Sequence, residues 1–413
     1  MMMKSSYIKL SRVIQAHHFY RLIFLILKLI PVIALPNYMD VEDIGTYGAV
    51  IGYVYLISFF SGYELWYYHN RNFVSSDKLE DKQKVIEKQF GMYFYTYIPS
   101  IIAAAIVGVG YGNSMLLYIP ILTIITHLSQ ENSRVLICLA RHTDSAILQC
   151  IQSLWVLAFP FNMISDVESV FLLILLSSLA SLIYSYARVY KYINILPNPF
   201  KFSSISDFSG LVKPATYLLA TVMCMKLYLY LPRIFLEESG YSLEAGIFTY
   251  FQNLATISDY FVQYFVVAVY TPKLIASRDK GLGFKNITLN FFKANSYISI
   301  GVAILAAIFG YVYIFYFLSN EVYENHFFAF LCLVAINSLV AISGFYATML
   351  YVMCEDKLYR LSMIYSLAIA VIFMATIYYI NINISKLATT LLVMAIYALS
   401  LLLVRLYYYS RVK

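Results

Sequence analysis

Of 413 residues, 61% are apolar and only 12% are charged, about half the charge of a soluble globular chain, so a water-soluble fold is excluded. The net charge of +7 resides in the connections between apolar runs, which removes a nucleic-acid-binding surface as its explanation. Apolar runs of about 20 residues match the thickness of a bilayer, and a barrel would show short alternating segments instead, so the fold class is an all-α polytopic membrane protein.

Taken in chain order, hydropathy predicts about 12 spans, near 14–36, 44–66, 90–111, 115–138, 145–164, 167–187, 209–235, 244–270, 293–318, 327–352, 359–381 and 385–406. Lys4, Lys9 and Arg12 precede the first run as in a secretory signal, but no small-residue cleavage site follows and Lys28 interrupts the run, so this segment is expected to be a retained span. The charged stretch 67–89 reads as a cytoplasmic linker forming a short surface helix. Alternate connections, including the C-terminal tail with Arg405, hold 23 of the 29 Lys and Arg residues; the other set holds only Lys386. The positive-inside rule therefore places both termini in the cytoplasm. The opposite connections are short and acidic and have no room for a folded external domain. All five cysteines lie within or at the ends of apolar runs and read as packing residues, with no zinc spacing.

The spans divide into two six-helix lobes, 1–200 with spans 1–6 and 201–413 with spans 7–12, and the head of each half repeats the same features. Pro31 and Pro36 in span 1 and Pro214 and Pro232 in span 7 predict interrupted helices, a pointer to a transporter's central site. After each, an acidic residue, a spacer, a glycine, a second spacer and an aromatic residue open the next span: Asp43-Ile44-Gly45-Thr46-Tyr47 and Glu244-Ala245-Gly246-Ile247-Phe248.

With twelve spans, cytoplasmic termini, these paired entries and the stretch from Tyr230 to Gly281, which ends in the proline and basic connection at Pro272 and Lys273, the chain resembles the multidrug/oligosaccharidyl-lipid/polysaccharide exporter superfamily. Within it, the chain resembles the Wzx-type O-antigen flippases. The resemblance covers essentially the whole chain. It implies a bacterial inner-membrane protein that moves an undecaprenyl-pyrophosphate-linked repeat unit from the cytoplasmic to the periplasmic leaflet by alternating access through a cationic central cavity. It also implies a lipid-linked oligosaccharide and the bilayer as partners, and contact with a polysaccharide polymerase and a chain-length regulator. No catalytic residue, metal or cofactor is expected, and no phosphate loop or HExxH motif is present.

Ionisable residues inside spans are costly and tend to face a partner or a cavity. Arg21 and Lys28 in span 1 are seven residues apart, as are Lys226 and Arg233 in span 7, so each pair shares one helix face. These four are the candidate pyrophosphate ligands, although Arg21 and Arg233 sit near span ends where snorkelling to the interface explains them equally well. In span 8, Gln252, Thr256, Asp259 and Gln263 form one polar stripe, with Asp259 either titrating in ion coupling or neutralising Lys226. His127 in span 4 is either a proton site or a satisfied buried histidine, and Glu131 with Arg134 is expected as an interfacial pair. Tyr217, Tyr228 and Tyr250 offer rings either to sugar or to neighbouring helices. A drug or cation exporter of the same superfamily is the alternative function, and a membrane polysaccharide polymerase or ligase a further one.

Overall fold

The computed structural model describes residues 19–66, 73, 78–199, 205–280, 283–380 and 384–412. Lys4, Lys9 and Arg12 lie outside these residues, as do most of 67–77 and the side chain of Tyr217. The described chain is all helical, with twelve long helices in the expected places. They are α1 (Phe19–Asn37), α2 (Val41–Gly62), α3 (Leu79–Tyr111), α4 (Met115–Cys138), α5 (His142–Phe161) and α6 (Val167–Ile193). The second six are α7 (Ile205–Glu238), α8 (242–280), α9 (Phe284–Leu318), α10 (Phe327–Val352), α11 (Asp356–Ile380) and α12 (Lys386–Val412).

Among the described residues, ten helices are long and apolar enough to cross a membrane. The remaining two long helices, α4 and α8, fall short because they hold polar side chains in the protein interior. Helix α4 buries Thr123, Thr126, His127, Ser129, Glu131, Asn132 and Ser133, and α8 buries Thr249, Gln252 and Ser258. In hydrocarbon such groups are tolerated only against protein or in a polar cavity, which is why these faces of the two helices are packed inward while Leu117 of α4 and Phe265 of α8 stay exposed.

The expected breaks do not occur at Pro31, Pro214 or Pro232; of the four prolines only Pro36 sits in irregular backbone. Helix α7 runs unbroken from Ile205 to Glu238 through Pro214 and Pro232, and α1 continues past Pro31 until a 3-10 turn at Leu35–Asn37. Proline removes one backbone hydrogen bond, a loss that a packed membrane helix accommodates without ending. Further irregular backbone falls at π turns, Gln263–Val267 within α8 and Tyr313–Leu318 at the end of α9. The predicted linker helix is in part an extension of α3, which begins at Leu79 with Glu80 and Asp81 in its first turn, where they complement the helix dipole. Helix α6 starts on a full capping box, with Ser169 N–H donating to the Asp166 carboxylate at 2.7 Å.

The chain forms two compact units: residues 1–39 with 50–219, and 40–49 with 220–413. The first unit packs α3 on α4 and α4 on α6, around a core of Phe90, Tyr93, Tyr97, Leu128, Val135 and Val189. Helix α1 is tied to α5 through Tyr38, whose hydroxyl donates to the Phe159 carbonyl at 3.0 Å. The second unit packs α8, α9 and α12 against α10, and α11 against α12, with Val266, Phe291, Phe345 and Met349 in its core. Lipid offers apolar surfaces no incentive to leave it, so close packing and interhelical hydrogen bonds hold such units together.

Candidate functional site

In the first unit the polar side chains of α3 and α4 meet at Glu131, which is wholly buried. The Tyr93 hydroxyl donates to its Oε2 at 2.6 Å and Gln89 Nε2 to the same oxygen at 2.7 Å, while Arg134 Nη1 reaches Oε1 at 2.7 Å. The expected Glu131–Arg134 pair is thus present, and its carboxylate is also a hub for two side chains of α3. Arg134 alone reaches towards water, with 30% of its side chain exposed. His127 lies one turn earlier on α4, with Nε2 3.8 Å from Glu131 Oε1 and Nδ1 2.6 Å from the Tyr97 hydroxyl. Gly62 at the end of α2 makes room for this imidazole, since a Cβ there would sit 2.7 Å from Nε2. His127 is therefore a buried histidine held between a tyrosine and a carboxylate.

Gln89, Tyr93 and Tyr97 do not appear among the sequence candidates. Their spacing of four places all three on one face of α3, opposite the His127–Glu131 face of α4, a pairing visible only once the two helices are known to pack.

In the second unit α7 and α8 bring the remaining candidates together. Lys226 acts electrostatically on Asp259, and Gln263 hydrogen-bonds the same carboxylate. Two turns along α7, Arg233 is 6% exposed, with Nη2 3.5 Å from Asn253 Oδ1 of α8. Gln252 is buried and neither end of its amide has a partner among the described residues, whereas Thr256 donates to the Gln252 carbonyl and Gln263 is exposed at the start of the π turn. Along this stripe, burial falls from Gln252 to Gln263. Tyr228 stacks on Tyr397 at 4.5 Å and Tyr250 lies against Tyr323 at 4.5 Å, so both rings serve helix packing. Of the cations on α1, Arg21 is half-buried and Lys28 is exposed with its ammonium 5.6 Å from the centre of the Phe24 ring.

The paired acidic-x-Gly-x-aromatic entries meet. A Cβ on Gly45 would lie 3.0 Å from the Gly246 nitrogen and 2.6 Å from the Ser242 carbonyl, and one on Gly246 would lie 1.8 Å from the Val41 carbonyl. The opening turns of α2 and α8 thus pack backbone to backbone, as small residues allow in membrane helices. Thr46 donates to Glu237 Oε1 at 2.8 Å, and the Glu244 carboxylate accepts the Leu387 N–H at 2.6 Å, capping α12. In the second entry acid and glycine therefore have separate jobs: Glu244 satisfies a helix end and Gly246 permits close approach.

Twelve long helices, two compact units and polar interiors on α4 and α8 can be compared with solved structures. The lipid II flippase MurJ in an inward closed conformation superposes with a TM-score of 0.68 at 12% identity, covering 96% of this chain and 87% of that one. A multidrug resistance MATE family transporter of the MOP superfamily, inward-facing, gives 0.67 at 11% identity over 95% of this chain and 94% of that one. The fold is that of the MOP superfamily transporters. A MATE structure in complex with MaL6 gives 0.61 at 11% identity, over 97% and 95% of the two chains. No protein-family model matches the chain, and no curated protein matches it. The structural neighbours are transporters and flippases, and the chain is a multi-pass helical protein of the same architecture.

Proposed function

We propose that the chain flips undecaprenyl-pyrophosphate-linked O-antigen repeat units from the cytoplasmic to the periplasmic leaflet of the bacterial inner membrane by alternating access, with both termini in the cytoplasm. The observation that carries this reading is the matched cations on the first helix of each half, Arg21 and Lys28 on α1 and Lys226 and Arg233 on α7, which suit an anionic headgroup. The fold shared with a lipid II flippase supports it. In this reading the Gln252, Thr256 and Gln263 stripe accommodates the hydrated sugar, and His127 or Asp259 serves ion coupling. The polysaccharide polymerase and the chain-length regulator receive the product on the far side.

A drug or cation exporter is the second reading, favoured by the fold shared with a multidrug MATE transporter and by Asp259, a carboxylate on the stripe. Complementation of a flippase-null strain separates the two. Restored surface polysaccharide, lost by at least tenfold in Lys28→Ala and Lys226→Ala, supports the flippase. Normal surface polymer in a deletion mutant of the native strain overturns it, and Asp259-dependent efflux of small cations selects the exporter.

A further inference from the structure

Helix α12 carries a guanidinium that has no role in the transport reading above. Arg405, counted with the C-terminal tail in the sequence, is 4% exposed in the interior of the second unit. Its Nη1 donates to the Ser343 hydroxyl of α10 at 2.8 Å, its Nη2 to the Met363 sulfur of α11 at 3.6 Å, and its Nε has no acceptor among the described residues. The Tyr359 ring centre lies 5.6 Å away, and the Tyr397 hydroxyl turns to the same Met363 sulfur at 3.8 Å. No carboxylate of the described residues lies within ion-pairing distance of the guanidinium.

A guanidinium has five N–H donors and a fixed charge. Two neutral acceptors and one ring face offset only part of the cost of taking it out of water. The Tyr228 hydroxyl, on the ring stacked against Tyr397, is also buried without a partner and is a second unused donor in the same α7–α11–α12 packing. Ser343, Met363 and Arg405 all lie seven to nine residues from one end of their helices, about 10–14 Å deep at 1.5 Å per residue. Small ions reach such a depth from water more readily than a bulky headgroup does.

We propose that Arg405 anchors a site for a small inorganic anion of halide size in the second unit, the ion supplying the negative charge that the protein does not. Near-complete enclosure of the guanidinium favours a compact ion over a tetrahedral phosphate. The site is independent of the transported substrate.

The test uses the full chain in neutral detergent. At matched ionic strength, sodium chloride is expected to raise the thermal midpoint above that in sodium gluconate by about 1–3 °C. Crystals soaked in bromide are expected to show an anomalous peak beside Arg405. Arg405→Met removes both signals, and Ser343→Ala reduces the chloride shift. If Arg405→Met does not fold, the wild-type bromide peak and the Ser343→Ala shift decide the matter. A chloride response retained in Arg405→Met, a bromide-soaked crystal with no peak at Arg405, or stabilisation by inorganic phosphate but not chloride overturns the proposal.

Discussion

In the first unit the buried carboxylate of Glu131 has three donors within 2.7 Å, one of them the charged Arg134. In the second the buried guanidinium of Arg405 has a hydroxyl, a thioether and a ring, and the amide of buried Gln252 has no partner among the described residues. Both interiors hold a buried charge; Glu131 is met by protein side chains of opposite charge and by neutral donors, whereas Arg405 has no carboxylate within ion-pairing distance among the described residues. A neutralised network locks α3 to α4 in one geometry. In the second unit, whose α7 and α8 carry most of the proposed transport residues, the Arg405 Nε is likewise buried without an acceptor among the described residues.

The contrast can be broken most severely at Glu131. Glu131→Ala strands Arg134 and is expected to cost about 3 kcal/mol, the low end for a broken buried pair because Arg134 keeps some water. The thermal midpoint of the purified protein measures it, and Glu131→Gln should lose less, since its amide still accepts from Tyr93. Next in size, Gly246→Ala drives a Cβ into the Val41 carbonyl and should cost about 1–3 kcal/mol by separating the openings of α2 and α8. Tyr97→Phe leaves His127 Nδ1 without its partner at 2.6 Å and is expected to cost about 1–2 kcal/mol.

Asp166→Ala removes the cap of α6 for about 1 kcal/mol. The Ser169 N–H bonded to Asp166 holds its carboxyl below the usual carboxylate range. Because the folded value is the depressed one, this contribution is present above about pH 4 and is lost as pH falls through the folded value. A variant that stays acid-sensitive to the same degree would show that the cap is not the cause. The smallest effect is expected at Gln252→Leu. Removing a buried amide without partners should change stability by about 0.5 kcal/mol or less in either direction, while the proposed transport activity falls. A loss of several degrees in the midpoint would mean that Gln252 is satisfied after all, and the contrast between the units would close.

Membrane class, helical fold and the positions of twelve helices were legible in composition and hydropathy, because a bilayer imposes one length and one satisfied backbone on every span. The acidic-x-Gly-x-aromatic pair was legible as a repeat, but its meaning was not: only packing shows Gly45 against Gly246. Proline spacing misled, since α7 runs through Pro214 and Pro232, and a hydrogen bond lost inside a packed helix does not have to end it. Pattern along one chain paired Glu131 only with Arg134, three residues away, and named no partner for Arg405. What surrounds a charge is decided by which helix lies across from it: two of the three donors to Glu131 lie about 40 residues earlier in the chain, and the hydrogen-bond partners of Arg405 lie 42 to 62 residues earlier. The sequence by itself determined the solvent this protein lives in and the rods from which it is built. The tertiary structure alone decided which buried charges meet an opposite charge and which meet only neutral groups, because hydrophobicity is a property of single residues and neutralisation a property of pairs.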